Sequence, residues 1–219
     1  MEPNTTQGPT LHQKDFVIGT VIALVMGAMF TWLSSGKSLL VTFVPGLVMT
    51  WLTFLWLYRK QIRLPTSDVF LPPFFVALAV QFLHFAEEYA TGFRTSFPVL
   101  YGGAPYSDKL FVTFNMLSYC VFTLACLLAF TKKLRFLSVP VLFFVIYGAI
   151  GNALSHTWWS LSLRAYFPGL MTAQLYWIVG PFVLYKLLGE RKAVIAIIIL
   201  FAVVLLPLLS FFVSTRVNG

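Results

Sequence analysis

Long apolar stretches alternate with short polar punctuation along this chain, and the lengths of the stretches match the thickness of a bilayer. Runs bounded by charges or turn residues predict seven membrane-spanning helices, near residues 16–33, 39–58, 69–89, 110–130, 137–159, 170–188 and 194–213. Each approaches the ~20 residues that cross about 30 Å of hydrocarbon at ~1.5 Å per residue. The first run is interrupted by Gly19 and Gly27 and the second by Pro45 and Gly46, so six is the alternative count. Such breaks are tolerated in membrane helices where neighbours satisfy the freed backbone. The longest connection, residues 90–109, reads as a loop large enough to cover a site.

The pattern predicts an all-α, polytopic membrane helix bundle. It divides into a polar tail at 1–15, a single transmembrane domain at 16–214 and a short tail at 215–219. The leading tail lacks the positive start of a cleavable signal, and no small-residue cleavage site closes the first run, so that run is expected to stay as an anchor.

Composition removes the soluble alternative. With 59% hydrophobic and 10% charged residues and a mean hydropathy of +0.86, the chain cannot hide its apolar surface inside a soluble domain of this size. A net charge of +8 raises the question of nucleic acid. The basic residues fall in short clusters between apolar runs, without a basic stripe, so no nucleic-acid partner is expected. In the seven-span reading Lys14, Arg59, Lys60, Arg63, Lys132, Lys133, Arg135, Lys186, Arg191 and Lys192 share one side. Lys37, Arg94, Lys109, Arg164 and Arg216 take the other. The positive-inside rule then puts the N-terminus in the cytoplasm and the C-terminus outside. Cys120 and Cys126 lie in one apolar run, where a thiol behaves as a small hydrophobe.

Against this background a few polar residues stand out. In QFLHFAEEYATGF, His84, Glu87 and Glu88 follow Gln81 at helical spacing, and i, i+3 and i+4 share a face. Ionisable groups at membrane depth cost several kcal/mol each unless paired, hydrated or metal-bound. A second cluster, GNALSHTWWS, places Asn152 and His156 at i and i+4 and can supply the partner. The topology brings both clusters to the outer half of the membrane, with Asn115 entering from the same face and Arg164 and Tyr166 following in the adjoining loop. His12, in the tail, belongs to the opposite side, so a shared site has at most two histidines.

Two histidines with one or two carboxylates form a plausible shell for a divalent metal: zinc first, iron or manganese as alternatives. His84, His156 and either Glu88 or Glu87 would be the ligands, and the other glutamate the general base on water. H-x-x-E-E lacks the H-E-x-x-H spacing of zinc metalloproteases and the many histidines of membrane di-iron desaturases. A single histidine near a helix end with two adjacent acids is also compatible with a satisfied, solvated helix end. The second histidine on the same face favours a shared site. A metal-free alternative uses a glutamate of raised pKa and a neutral histidine as acid and base. Trp158, Trp159 and Trp177 fit interfacial belts. Gly148 and Gly151 read as packing positions, and Arg164 as a surface arginine that could also hold an anionic headgroup.

Taken together, HFAEE at 84–88, NALSH at 152–156 and RAYFPGLMTA at 164–173 resemble the signatures of the HXXEE-domain family of bacterial integral membrane proteins. The resemblance runs from the third span to the sixth. It implies a membrane metalloenzyme of the bacterial cytoplasmic membrane, with His84, Glu87, Glu88, Asn152 and His156 as the site and Arg164, Tyr166, Pro168 and Gly169 as an accessory motif, and it carries no substrate. Phe167 departs from the pattern, standing where a polar residue such as asparagine is expected.

The expectation is a metal-dependent enzyme, a hydrolase acting on a lipid-like or amphiphilic molecule at the outer membrane half, with membrane lipids around it. The alternatives are a metal-free acid/base isomerase or intramembrane hydrolase, and a cation- or proton-coupled transporter or sensor. If His84 and His156 share one ion, their side chains must lie well within about 10 Å of each other, since ligand bonds are near 2 Å.

Overall fold

The computed structural model describes residues 8 and 10–214, whose regular structure is helical apart from an isolated bridge at Pro65. Among them nine helices follow in order: α1 (Gln13–Leu33), α2 (Ser38–Arg59), α3 (Ser67–Thr91), α4 (Phe93–Leu100), α5 (Asp108–Thr131), α6 (Arg135–Leu163), α7 (Leu170–Ala173), α8 (Tyr176–Leu188) and α9 (Arg191–Phe211). Six of these, α1, α2, α3, α5, α6 and α9, are long and apolar enough to cross a membrane. Of the two expected tails, residues 1–7, 9 and 215–219 lie outside the described residues. Leu11 is already part of the core, and the Gly8 amide donates to the Leu64 carbonyl at 2.6 Å.

Burial ranks the long helices. Some 83% of the apolar window of α6 is buried, against 17% for α1 and 22% for α9. A helix that is apolar on every side belongs in the middle, and α6 packs against α1, α2, α3, α5, α8 and α9. The outer helices turn residues such as Leu24, Leu117 and Val203 outward, where only lipid suits them. Pro45 and Gly46 do not break α2. Instead Gly46 lets it meet α6 so closely that a Cβ there would stand 2.7 Å from Tyr147.

In its middle α6 widens from α to π geometry over Phe144–Gly151, and the Asn152 amide reaches back to the Tyr147 carbonyl. Such widened turns shift the face that the following residues present and are frequent at functional sites. Here they precede the turn that carries His156. Of the two glycines read as packing positions, each lies closest to an aromatic ring of its own helix, Gly148 to Phe144 and Gly151 to Tyr147, and Gly151 also approaches Phe201 of α9.

Three expectations change. The sixth expected span is not one helix: it divides into α7 and α8 at Gln174 and Leu175. Backbone bonds across that point reach only three residues, Leu175 N–H to Thr172 and Trp177 N–H to Gln174, which tightens the turn. The 13 residues of α8 span ~20 Å, short of the hydrocarbon thickness. Part of the loop expected at 90–109 is helix α4, which buries Phe93, Phe97 and Leu100 on one side. Gly92, in the left-handed region at φ 86°, ends α3 and starts α4, a corner that residues with a Cβ rarely make. Trp159, read as an interfacial residue, is 2% exposed.

Candidate metal centre

His84 and Glu88 sit one turn apart near the end of α3, on the face turned into the bundle, and α6 brings His156 against them. Relative exposures of 0%, 6% and 0% enclose all three. His84 Nε2 and His156 Nε2 each stand 3.4 Å from the same carboxylate oxygen, Glu88 Oε1. The three ligand atoms lie within 4.8 Å of one another. Neither Nε2 has a hydrogen-bond partner among the described residues.

Buried polar atoms without a hydrogen bond cost about 1–3 kcal/mol each, so two imidazole nitrogens that converge at ion-pair distance on one carboxylate oxygen and make no hydrogen bond call for an explanation. The donor set supplies one. At metal–ligand bonds of about 2.0–2.1 Å, the edge of a coordination tetrahedron is about 3.4 Å. Both histidine–carboxylate separations match that edge, and two neutral imidazoles with one carboxylate suit a divalent ion. The trio could hold a metal ion.

Its walls are dry. Phe93 of α4 lies 5.2 Å from the His156 ring, Trp159 5.0 Å and Phe167 6.3 Å, between centroids. Trp159 donates its indole N–H to the Tyr101 hydroxyl at 2.7 Å. Phe167 packs its ring against Trp159, tilted, at 4.8 Å between centroids, so the position expected to be polar is a packing position in this chain. Pro168 and Gly169 close the remaining side: with φ at 88°, Gly169 rests its backbone directly on His156 and Glu88.

The two adjacent glutamates part company. Glu87 leaves the side of α3, half-buried, and caps the start of α7 from outside that helix. Its Oε1 accepts from the Tyr166 hydroxyl at 2.6 Å and the Met171 amide at 3.0 Å. Its Oε2 accepts from the Thr172 amide at 2.7 Å and from the Thr172 hydroxyl. These donors fill the roughly four lone-pair sites of a carboxylate and satisfy amides that a helix start leaves without partners. Burial first, then the bond to Glu87, pushes the Tyr166 phenol above its ordinary range.

Other expected site residues lie around the trio rather than in it. Gln81 is buried one turn before His84 and ties two tyrosines together: Tyr176 donates to its Oε1 at 2.7 Å, and its Nε2 donates to Tyr119 at 3.0 Å. Tyr119 donates on to Asn115 at 3.0 Å. Asn152 spends its side-chain N–H on the Gly148 carbonyl, in the widened part of α6. Arg164 is exposed beyond the end of α6, beside an open surface groove of about 540 Å³ that it lines with Leu161, Tyr166, Leu170, Met171 and Gln174. That groove lies next to residues 166–172, the segment that covers the trio, and none of the three trio residues lines it.

The family model described as a protein of unknown function with HXXEE motif matches residues 75–186, which is 112 of the 219 positions. The chain belongs to the HXXEE family. The HXXEE match takes in the trio, α4 and the segment through Thr172, and leaves out α1, α2 and α9. No curated protein and no solved structure matches the chain. Two contributors to the HXXEE site escape sequence reading. Thr172 looks like one more hydroxyl in an apolar segment, and its position three residues past Gly169, in the first turn of a helix, is the signal that could have marked it. Phe93 sits in what reads as a loop, with nothing local to point it at His156.

Proposed function

We propose that this HXXEE protein is a membrane-embedded, metal-dependent enzyme that holds one divalent ion on His84, Glu88 and His156 and hydrolyses an amphiphilic, lipid-like substrate. The observation that carries the reading is the pair of buried, unpartnered Nε2 atoms, each 3.4 Å from one Glu88 oxygen. Three protein donors rather than four favour catalysis over a purely structural ion, because structural zinc sites close all four positions. Zinc suits the set best, and the same donors accept iron or manganese.

Bound there, such an ion supplies Lewis acidity toward an ester or amide carbonyl. The residues do the rest. His84 and His156 offer neutral nitrogen donors, and Glu88 brings the one negative charge of the trio. Phe93, Trp159 and Phe167 keep bulk water away. With Glu87 committed to α7, the second oxygen of Glu88 is the acceptor left in the trio for a proton from water. An amphiphilic substrate is supported by the setting of the trio inside a bundle of long apolar helices whose outer faces suit lipid. The charge distribution along the sequence supports placing this end of the bundle in the outer half of the membrane.

Elemental analysis of the purified protein tests the reading. One ion per chain is expected in the wild type, with loss in Glu88→Gln and in the His84→Ala, His156→Ala double variant. Stoichiometric metal retained by the double variant would overturn it. Chelator-sensitive turnover of lipid esters in detergent is the matching activity. Turnover indifferent to chelators would favour metal-free acid/base chemistry, and ion uptake by proteoliposomes without any turnover would favour transport.

A further inference from the structure

Thr172 links the two halves of the H-x-x-E-E motif. Its hydroxyl oxygen lies 2.9 Å from His84 Nδ1, and the same hydroxyl meets Glu87 Oε2. A threonine hydroxyl has one proton to give and lone pairs to receive with. On Glu87, backbone amides of Met171 and Thr172 occupy one oxygen each, and an amide can only donate. Glu87 is therefore an acceptor on both oxygens, and the Thr172 proton goes to it. Only a lone pair remains for His84, so Nδ1 must carry the proton in that contact. In a neutral imidazole the other nitrogen then bears the lone pair, and that nitrogen, Nε2, is the unpartnered atom facing Glu88.

We propose that Thr172, anchored by Glu87, is a positioning residue that holds His84 in the tautomer and orientation in which Nε2 ligates the metal. The inference rests on the metal reading above and assigns the motif's two acids different tasks, Glu88 as ligand and Glu87 as anchor of the relay. Ligating histidines nearly always pass their second N–H to an oxygen acceptor, and loss of that acceptor costs about 10–100-fold in metal affinity. The geometry has a further consequence: α7 and α3 are joined at the same point, so metal affinity is coupled to the seating of the covering segment.

The test is zinc affinity of the full-length protein in detergent, by competition with a chelator, for wild type, Thr172→Val and Thr172→Ser. Thr172→Val, which keeps the shape and loses the hydroxyl, should bind about 10–100-fold more weakly. Thr172→Ser should recover most of that affinity. A serine variant as weak as valine would mean that packing matters and the hydroxyl does not, overturning the proposal. In the zinc-loaded wild type, ¹⁵N spectra of labelled histidine, assigned with His84→Ala, should show His84 protonated at Nδ1 and coordinated at Nε2; coordination at Nδ1 would overturn it. The two readings separate cleanly: a wild-type chain without a zinc site sinks the metal reading, whereas a zinc site indifferent to Thr172→Val sinks the relay alone.

Discussion

Gly169 is packed so closely on His156 that a methyl group added to its α-carbon would stand 2.6 Å from ring atom Cε1, and 2.9 Å from Cγ of Glu88. Its φ of 88° lies where a side chain is disfavoured in any case. Gly169→Ala should therefore lose about 1–2 kcal/mol from the backbone alone and push apart two of the three ligands. The expected result is a lower unfolding temperature together with at least a tenfold loss of zinc affinity. Wild-type zinc binding in this variant would mean that the covering turn does not press on the site.

Phe167 tests whether the departure from the expected polar residue is a loss or a substitution of role. It is 4% exposed and packs, tilted, against Trp159. Phe167→Asn would forfeit aromatic burial and enclose an amide that has no evident partner. Losing a buried phenylalanine costs about 3–5 kcal/mol, and the unsatisfied amide adds about 1–3 kcal/mol. Thermal unfolding in detergent should show severe destabilisation. An asparagine variant as stable as wild type, or more so, would return the position to the site's polar machinery.

Gln81 shares a helix face with His84, so its spacing alone leaves open a place in the metal shell. Its amide is instead occupied by Tyr176 and Tyr119. Gln81→Leu should remove the acceptor of a fully buried tyrosine hydroxyl and cost about 1–3 kcal/mol, while elemental analysis still finds one zinc per chain. Loss of zinc without loss of stability would move Gln81 into the shell.

Tyr166 gives the covering segment a pH dependence. Its phenol is pushed upward, by burial and then by the Glu87 carboxylate, so the protonated form is favoured in the folded protein. The bond to Glu87 is fully present below the ordinary phenol value of about 10 and is lost as the pH rises through the higher folded value. Ultraviolet titration of wild type minus Tyr166→Phe should isolate one tyrosine that ionises later than a free phenol. A difference curve centred at or below the free value would contradict the observed contact.

Much of this protein could be read from its sequence because bilayers impose strong local rules. Runs of apolar residues long enough to cross the hydrocarbon have few alternatives to helix, which is why six of the seven expected spans, the interrupted first and second among them, return as long helices with boundaries shifted by only a few residues. Spacing of i and i+4 likewise places His84 and Glu88 on one helix face, whatever surrounds them. The break between α7 and α8 was not legible, since Gln174 and Leu175 carry no proline or glycine to announce it. Nor was α4, whose eight residues form a helix because Phe93, Phe97 and Leu100 find a surface to bury against.

What the sequence alone determined is the helical membrane class, the family motifs and the set of residues able to carry the chemistry. Tertiary structure decided which of two adjacent glutamates turns inward. That choice is not local: Glu87 and Glu88 differ by about 100° around α3, and the inward direction exists only because α6 brings His156 to one side while the start of α7 presents amides and a hydroxyl to the other. Each carboxylate is held by donors or partners from a distant segment, and their positions follow from packing rather than from spacing along the chain.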